Sequence, residues 1–549
     1  MALVKPILPG RMEKGLGHHA QMLLNSGHPK VLGSITKKGG EKVFPGRKHG
    51  AHISVVGTKH QYSSNPRGVF AQCLVTGAVL LLTAGCGMPI GYSAILLPKL
   101  AQTNGSLQVD EDLGSWIASV HSLAAPFGSL LSGPLMDAIG RRGALQISAI
   151  PLAVGWIVMG LAQTITCIIA GRIMSGFAVG LVVVPGQVLL GEIADPGLRG
   201  ILVGAPFATY SFGILLVYAL GASFAWRTVA FCGMILPGLA LVALCLSPES
   251  PVWLVRRRKT EAARKALSWF RGADVMQVKT EMAQLESRAR EDIARISSTA
   301  TLRQQASSAL SNILSPGVIK PLAIINVFNF LQMLSGTYVF VFYAVEFIRE
   351  MEGDGVDHYL VAVITAAVRF VFCLVSCVLL LTTGRRVLGI ISALGTAVTS
   401  LVLAGYLLAR KGQPTTDADM YVVGTCIIAY VSANTVGLLT LPGLMVGELL
   451  PQHARGIGGG CTFFLFNLTL FGVTKVFPGV KGAIGMTGIF TVFGASALLE
   501  AVFVYVALPE AKGRTLQEIE DYFQEGNVLW VTRKKQPKIN SATTPLVNV

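Results

Sequence analysis

An arginine stands in the middle of a long apolar stretch of this sequence, Ala366-Ala-Val-Arg-Phe-Val-Phe372. At membrane depth such a charge costs several kcal/mol unless it faces water or a partner, so Arg369 is a binding-site candidate by default. It offers several donors to hydroxyl groups, or a charge to an anion; pairing with an internal acid, or snorkelling, are the alternatives. A second set of charges sits at tight glycine loops: Asp137, Arg141 and Arg142 around Gly140, and Arg385 and Arg386 after Gly384. Carboxylates end neighbouring apolar runs, Glu192 ahead of Arg199 and Glu448 ahead of Arg455. Guanidinium and carboxylate groups at adjacent helix ends pair bidentately. His121 is a weaker candidate for a cavity wall, with a hydrogen-bonded packing histidine as the plainer reading.

Covalent chemistry finds no support. There is no catalytic triad, metal-ligand spacing, cofactor loop, nucleotide-binding loop or phosphorylated-aspartate motif, so the chain reads as a non-enzyme with no cofactor and no metal site. The nine cysteines fall in or at apolar runs without a disulfide or zinc pattern, and read as small packing residues. Cys373 and Cys377, four apart on one helix, are too few ligands for a metal.

The elements that must position these residues follow from composition. Of 549 residues, 52% are hydrophobic and 13% charged, far below the roughly 25% charge of soluble domains. Apolar runs long enough to cross about 30 Å of hydrocarbon lie at 70–98, 114–136, 144–166, 167–191, 201–224, 227–247, 319–345, 358–383, 387–409, 419–446, 457–479 and 485–508. Backbone groups in lipid must bond within their own segment, which predicts twelve helices and an all-α membrane fold. Around them lie an N-terminal tail (1–69), a linker (251–318) between a first bundle (70–250) and a second (319–508), and a C-terminal tail (509–549).

The net charge of +16 suggests nucleic acid, but its distribution points to a membrane. Basic residues crowd the N-terminal tail, the Arg141–Arg142 loop, the linker from Arg256 and the C-terminal tail, all on one side of an even number of spans. The positive-inside rule makes that side cytoplasmic. The opposite loops, 104–113 and 350–357, are mainly acidic. The tail 1–69 is too long and polar for a cleavable signal peptide, and reads as a cytoplasmic tail beside anionic lipid. The bilayer and a small solute are the expected partners, with no obligate protein partner. Linker sequences such as Glu261–Leu267 and Glu281–Glu286 predict short amphipathic helices.

The chain also repeats itself. Gly-Arg-Arg at 140–142 recurs at 384–386, Glu192 with Arg199-Gly200 recurs as Glu448 with Arg455-Gly456, and Pro248-Glu249 recurs as Pro509-Glu510. The order is the same each time. Parallel repeats of this kind predict two halves that rock about a site near the bilayer midplane.

These motifs resemble the sugar porter family of the major facilitator superfamily, from about residue 70 to 525. The more specific pieces are Pro248-Glu-Ser-Pro-Val-Trp-Leu254 and Pro509-Glu-Ala-Lys-Gly-Arg-Thr515. The lead-in at Pro185 and the Ser-Gly-Thr-Tyr at 335–338 look closest to insect facilitated trehalose transporters. The resemblance implies that the Asp137, Arg141, Arg142, Glu192, Arg199 set and the Arg385, Arg386, Glu448, Arg455 set hold an inner gate shut when the cavity opens outward. Leu381-Thr-Thr-Gly384 lacks the usual acid, so the second latch departs from the pattern.

The resemblance also implies a substrate cavity that keeps Gln332 and differs elsewhere. Met333 replaces a glutamine, Tyr338 an asparagine, Asn467 a tryptophan, Phe207 a glutamine, and Gly443 the tryptophan after Pro442. Arg369 stands where a neutral amide faces the cavity. Gln332, Arg369, Tyr338, Asn467 and His121 are therefore the candidate substrate contacts. Proton-coupled members carry an acid in span one, whereas Phe70–Leu100 has no Asp, Glu or His, which favours facilitated diffusion. Three functions remain in view: a carrier of trehalose or a hexose, a carrier of another small solute, anionic or not, and a transport-poor sugar sensor. Asn104-Gly105-Ser106 is a glycosylation acceptor in an outer loop, in keeping with a plasma-membrane protein.

Overall fold

Every element among the described residues of the computed structural model is helical, as a chain without water at its backbone requires. The structure describes residues 66–102, 107–195, 198–297, 315–352, 357–411, 417–451, 454–512, 514, 516–524 and 529–532. Asn104, nearly all of the N-terminal tail and most of the C-terminal tail lie outside the described residues.

The first half contains span one (Pro66–Ala101), two (Glu111–Ile139), three (Arg141–Gly160), four (Ile165–Ile193), five (Arg199–Ser223) and six (Trp226–Gly233 with Ile235–Leu246). Helices Pro251–Arg256, Thr260–Phe270 and Val275–Ser297 follow. The second half contains span seven (Pro316–Leu334, continued by Val339–Phe342 and Ala344–Glu352), eight (His358–Thr382), nine (Arg385–Ala409) and ten (Asp417–Val436 with Leu441–Leu449). Spans eleven and twelve run together as Arg455–Ala507, divided by a kink at Gly485, where φ is 65°. Ten described helices are long and apolar enough to cross a membrane. Dividing the last at Gly485 and adding span two, 29 residues with polar insertions, accounts for the twelve read from the sequence.

Small residues set the helix spacing in the first half. A methyl group on Gly87 would fall 2.1 Å from the Tyr210 carbonyl oxygen, and one on Gly180 would fall 2.0 Å from that of Ala125. Backbones this close give the van der Waals contact that replaces hydrophobic association inside lipid.

The end of the molecule with the Gly-Arg-Arg loops is termed the motif end, and the opposite one the far end. One apolar core, including Leu96, Ile117 and Tyr218 of the first half and Phe342, Phe347 and Leu470 of the second, joins the halves. A separate cluster of second-half residues, including Ile325, Phe328, Leu441 and Phe523, serves the motif end, and the linker helices have their own. At the far end Lys475 of span eleven reaches across to span two, 2.6 Å from Asp112 Oδ1 and 2.7 Å from Ser115 Oγ, and lies over the Trp116 ring at 4.6 Å. The halves are thus closed against each other at the far end.

Candidate functional site

The centre of the second half is a broken helix. Span seven stops at Leu334 and restarts at Val339, and Gly336 between them has a φ of +85°. Only glycine fits: a Cβ there would lie 2.4 Å from the Phe493 ring and 2.6 Å from the Tyr430 hydroxyl. The break frees backbone carbonyls, which must find donors. Tyr430 Oη donates to the Ser335 carbonyl at 2.7 Å, Thr337 Oγ1 to that of Gln332 at 3.0 Å, and Arg369 Nη2 to that of Thr337 at 3.0 Å.

Arg369 is buried, and its one hydrogen bond among the described residues is this bond to Thr337. The Tyr218, Tyr430 and Tyr338 hydroxyls lie within its electrostatic reach. Among the described residues its hydrogen-bond partner is a carbonyl, not a carboxylate, and the remaining guanidinium donors have no acceptor. Gln332 donates from Nε2 to the Leu438 carbonyl at 2.7 Å, and its Oε1 is buried without a partner. Asn434 Oδ1 and Asn329 Oδ1 are buried and unpartnered as well. Amide oxygens in this state cost about 1–3 kcal/mol each until a donor arrives. Neither asparagine was singled out from the sequence, although Asn434 is a lone amide in an apolar run and Asn329 stands between Asn326 and Gln332 at three-residue spacing in another.

The other sequence candidates fall around this centre or away from it. Tyr338 meets Phe466 edge to face at 5.3 Å, and Asn467 beside that ring donates to the Phe463 carbonyl at 2.9 Å. His121 is buried in the first half, with Nδ1 3.2 Å from Ser175 Oγ of span four. That contact is what a hydrogen-bonded packing histidine makes. Arg172, fully buried nearby, donates to the carbonyls of Ile117 at 3.0 Å, Ala118 at 3.1 Å and Pro89, and to Ser93 Oγ at 2.5 Å.

At the motif end the charged sets pair within each half. Arg141 Nη2 lies 3.1 Å from Glu192 and Nη1 3.4 Å from Asp137, while Arg385 Nη2 lies 2.8 Å from Glu448. Arg385 Nη1 donates to the Leu380 carbonyl at 2.9 Å, so no acid matches Asp137 there. Arg142 donates to the Cys245 carbonyl at 3.0 Å, and Arg386 to that of Tyr505. Arg199 and Arg455 begin spans five and eleven, and their side chains lie outside the described atoms. None of these pairs joins one half to the other.

The repeated Pro-Glu motifs supply a device that sequence spacing alone did not assign. Glu249 Oε1 accepts from the backbone N–H of Arg141 at 2.9 Å and of Arg142 at 3.0 Å, and Oε2 from that of Gly143 at 3.3 Å. Glu510 does the same for Arg385 at 3.0 Å and Arg386 at 3.2 Å. Each carboxylate caps the positive end of a spanning helix. It fills the space of an absent side chain, since a methyl group on Gly140 or Gly384 would lie 2.2 or 2.4 Å from a carboxylate oxygen. Glu249→Ala and Glu510→Ala are each expected to cost about 1–3 kcal/mol, because charge-assisted bonds are lost and helix N–H groups are orphaned. The thermal midpoint of purified protein reads this, and an unchanged midpoint would limit both carboxylates to surface contacts.

A family model described as "Sugar (and other) transporter" matches residues 88–523. The facilitated trehalose transporter Tret1 of Drosophila erecta is 32% identical over 461 residues, 83% of this chain and 52% of that protein. That of Anopheles gambiae is 31% identical over 460 residues, 83% of this chain and 56% of that one. The chain thus spans about half the length of the curated relatives it matches. Among solved structures, the major facilitator proton:xylose symporter XylE bound to 6-bromo-6-deoxy-D-glucose superimposes with a TM-score of 0.67 at 21% identity, over 83% of this chain and all of that one. XylE from E. coli in a partially occluded inward-open form gives 0.64 at 19%, over 80% of this chain. These likenesses show the major facilitator fold, and the apolar helices fit an integral membrane protein. By the extent of its match, this chain belongs to the sugar transporter family.

Proposed function

We infer that the protein carries a sugar across its membrane by alternating access, as facilitated diffusion. The observation that supports this most is the set of buried, unpartnered amide oxygens of Gln332 and Asn434 at the break in span seven and of Asn329, one turn before Gln332 on the same helix. A neutral polyol is rich in O–H donors, and supplying them removes the cost of those orphaned acceptors. Arg369 adds donors for the sugar's own oxygens, with Tyr338 and Asn467 at the margin. Trehalose is the first substrate to test, since the curated relatives are named as facilitated trehalose transporters.

Alternating access draws its support from the repeat and from a far end closed by Lys475 and Asp112. The Arg141–Glu192 and Arg385–Glu448 pairs would then set how each half presents its motif end, for which the basic loops favour the cytoplasmic side. Two observations favour passive transport: span one carries no acid or histidine, and Arg172 is satisfied by carbonyls and a hydroxyl. Uptake of radiolabelled trehalose or glucose is therefore expected to saturate and to stop at equal concentrations on both sides. Accumulation against a gradient that a protonophore abolishes would overturn passive transport. A second reading, an anionic solute, is favoured by one observation, the charge of Arg369 without an acidic partner; organic anions belong in the same uptake panel.

A further inference from the structure

Between the kink at Gly485 and its end at Ala507, span twelve carries a single charged side chain, Glu500. It is fully buried, and both of its carboxylate oxygens lack a hydrogen-bond partner among the described residues. An ionisable group at that depth, outside the gating pairs and the helix caps, calls for a role and a partner.

Two antiparallel registers place it. Against span nine, a methyl group on Gly494 would fall 2.6 Å from the Leu401 side chain, and one on Gly389 would fall 3.2 Å from that of Val504. Glu500 lies between these contacts, at the height of Ala393 and Ala397, which are fully buried and bring no polar side-chain atom. Against span seven, the Phe493 ring covers Gly336. Phe493, Glu500 and Val504 follow one another at i, i+7 and i+11 on one stripe of span twelve. Seven residues back from Gly336 on span seven stands Asn329, level with Glu500 seven residues on from Phe493. Asn329 shares a helix face with Ile325, which belongs to the same apolar cluster as Ala501 and Val504. Its Oδ1 is buried and unpartnered too.

The charged and titratable groups on the surrounding helices are engaged elsewhere. On span nine, Arg386 donates to the Tyr505 carbonyl, and Tyr406 donates to Asp419. On span seven, Lys320 donates to the Phe523 carbonyl at 3.0 Å and Tyr343 to that of Thr474 at 3.1 Å, while Tyr338 lies against Phe466. On span ten, Glu448 holds Arg385 and Tyr430 donates to Ser335. On span eleven, Lys475 and Lys481 are paired with Asp112 and Glu346, and Cys461 stands near the motif end. A lone carboxylate in such a place costs several kcal/mol. A carboxylic acid needs no cation, and its O–H needs one acceptor.

Resting on the sugar-carrier reading for its effect on transport, we propose that Glu500 is a positioning residue. It keeps its proton, donates that O–H to Asn329 Oδ1, and so fixes the amide one turn before Gln332. An amide oxygen has two lone pairs, so Asn329 takes this bond and still accepts from a sugar hydroxyl. The proton is held rather than carried, in keeping with passive transport.

The test uses liposomes holding the full chain, with equal pH on both sides, and reads KM and turnover for radiolabelled trehalose and glucose. From mildly acid to alkaline pH the wild-type KM rises about tenfold, equivalent to losing roughly 1.4 kcal/mol, with turnover nearly unchanged. Glu500→Gln puts an N–H in place of the O–H and keeps the acid-side KM at every pH. Glu500→Leu has no donor and shows the raised KM at every pH, while its thermal midpoint holds because an apolar side chain replaces a buried acid. In an Asn329→Leu background, Glu500→Gln and Glu500→Leu share one KM, since the acceptor is gone. Without sugar, the wild-type thermal midpoint falls as pH rises, because the unfolded carboxyl releases above about pH 4.3 a proton that the folded one retains; Glu500→Gln flattens that slope. Equal slopes in wild type and Glu500→Gln overturn the held proton, whatever the chain transports. In a chain that transports sugar, a wild-type KM in Glu500→Leu overturns the positioning role, and unequal KM values in the Asn329→Leu background overturn the partner. Uphill accumulation that Glu500→Gln abolishes makes Glu500 a proton carrier and overturns the proposal as well. A wild type that takes up no sugar removes the carrier reading and the effect on KM, while the midpoint slopes still decide the proton.

Discussion

Arg369→Gln is expected to reach the membrane in normal amounts and to bind a neutral sugar about tenfold to a hundredfold more weakly, a loss of roughly 1–3 kcal/mol. The expectation of normal folding comes from its surroundings. Breaking a buried ion pair costs about 3–5 kcal/mol, but the Arg369 hydrogen bond goes to the Thr337 carbonyl, which an amide N–H can satisfy in its place. The loss of affinity comes from the guanidinium donors that have no acceptor among the described residues. If the substrate is an anion, transport is nearly abolished instead, because the charge itself is the recognition element. Surface expression and substrate affinity of this one variant separate the cases, and wild-type affinity would remove Arg369 from the site.

The largest effect on turnover is expected at the far end. Cysteines replacing Asp112 and Lys475, joined by a short bifunctional maleimide in a background without the exposed Cys73, Cys167 and Cys245, should abolish net uptake. The native side chains meet at 2.6 Å across the two halves, and alternating access requires them to part. Lys475→Ala alone is expected to have a much smaller effect, since Asp112 is largely exposed, and exposed pairs contribute about 0–1 kcal/mol. Cross-linked protein, shown to be so by its mobility on a gel, that still transports at the normal rate would mean that the far end does not open.

How much was legible beforehand differs by type of information. The spans, the repeat and the family resemblance came from features local in sequence: runs of apolar residues and short motifs at helix ends. The 385–409 helix was read to within a few residues because lipid leaves the backbone no other solution. Spans eleven and twelve were read as two, and the structure runs them through a kink at Gly485. The surroundings of the candidate contacts were not legible: Thr337 joins the Gln332 carbonyl and the Arg369 guanidinium at the break in span seven, while His121 lies against Ser175 of span four.

The sequence by itself determined that this chain crosses a membrane many times, in two related halves of the sugar transporter type, with an arginine buried in span eight. It did so because hydropathy and helix-end motifs are written over a few tens of consecutive residues. Only the tertiary structure decided what those residues touch. Glu249 caps span three across a sequence separation of 108, Lys475 reaches Asp112 across one of 363, and Phe207 covers Gly443 from the other half. Each of these contacts depends on the rotation and register of one helix against another. Those are fixed by side-chain packing summed over whole interfaces, and no single stretch of sequence carries that sum.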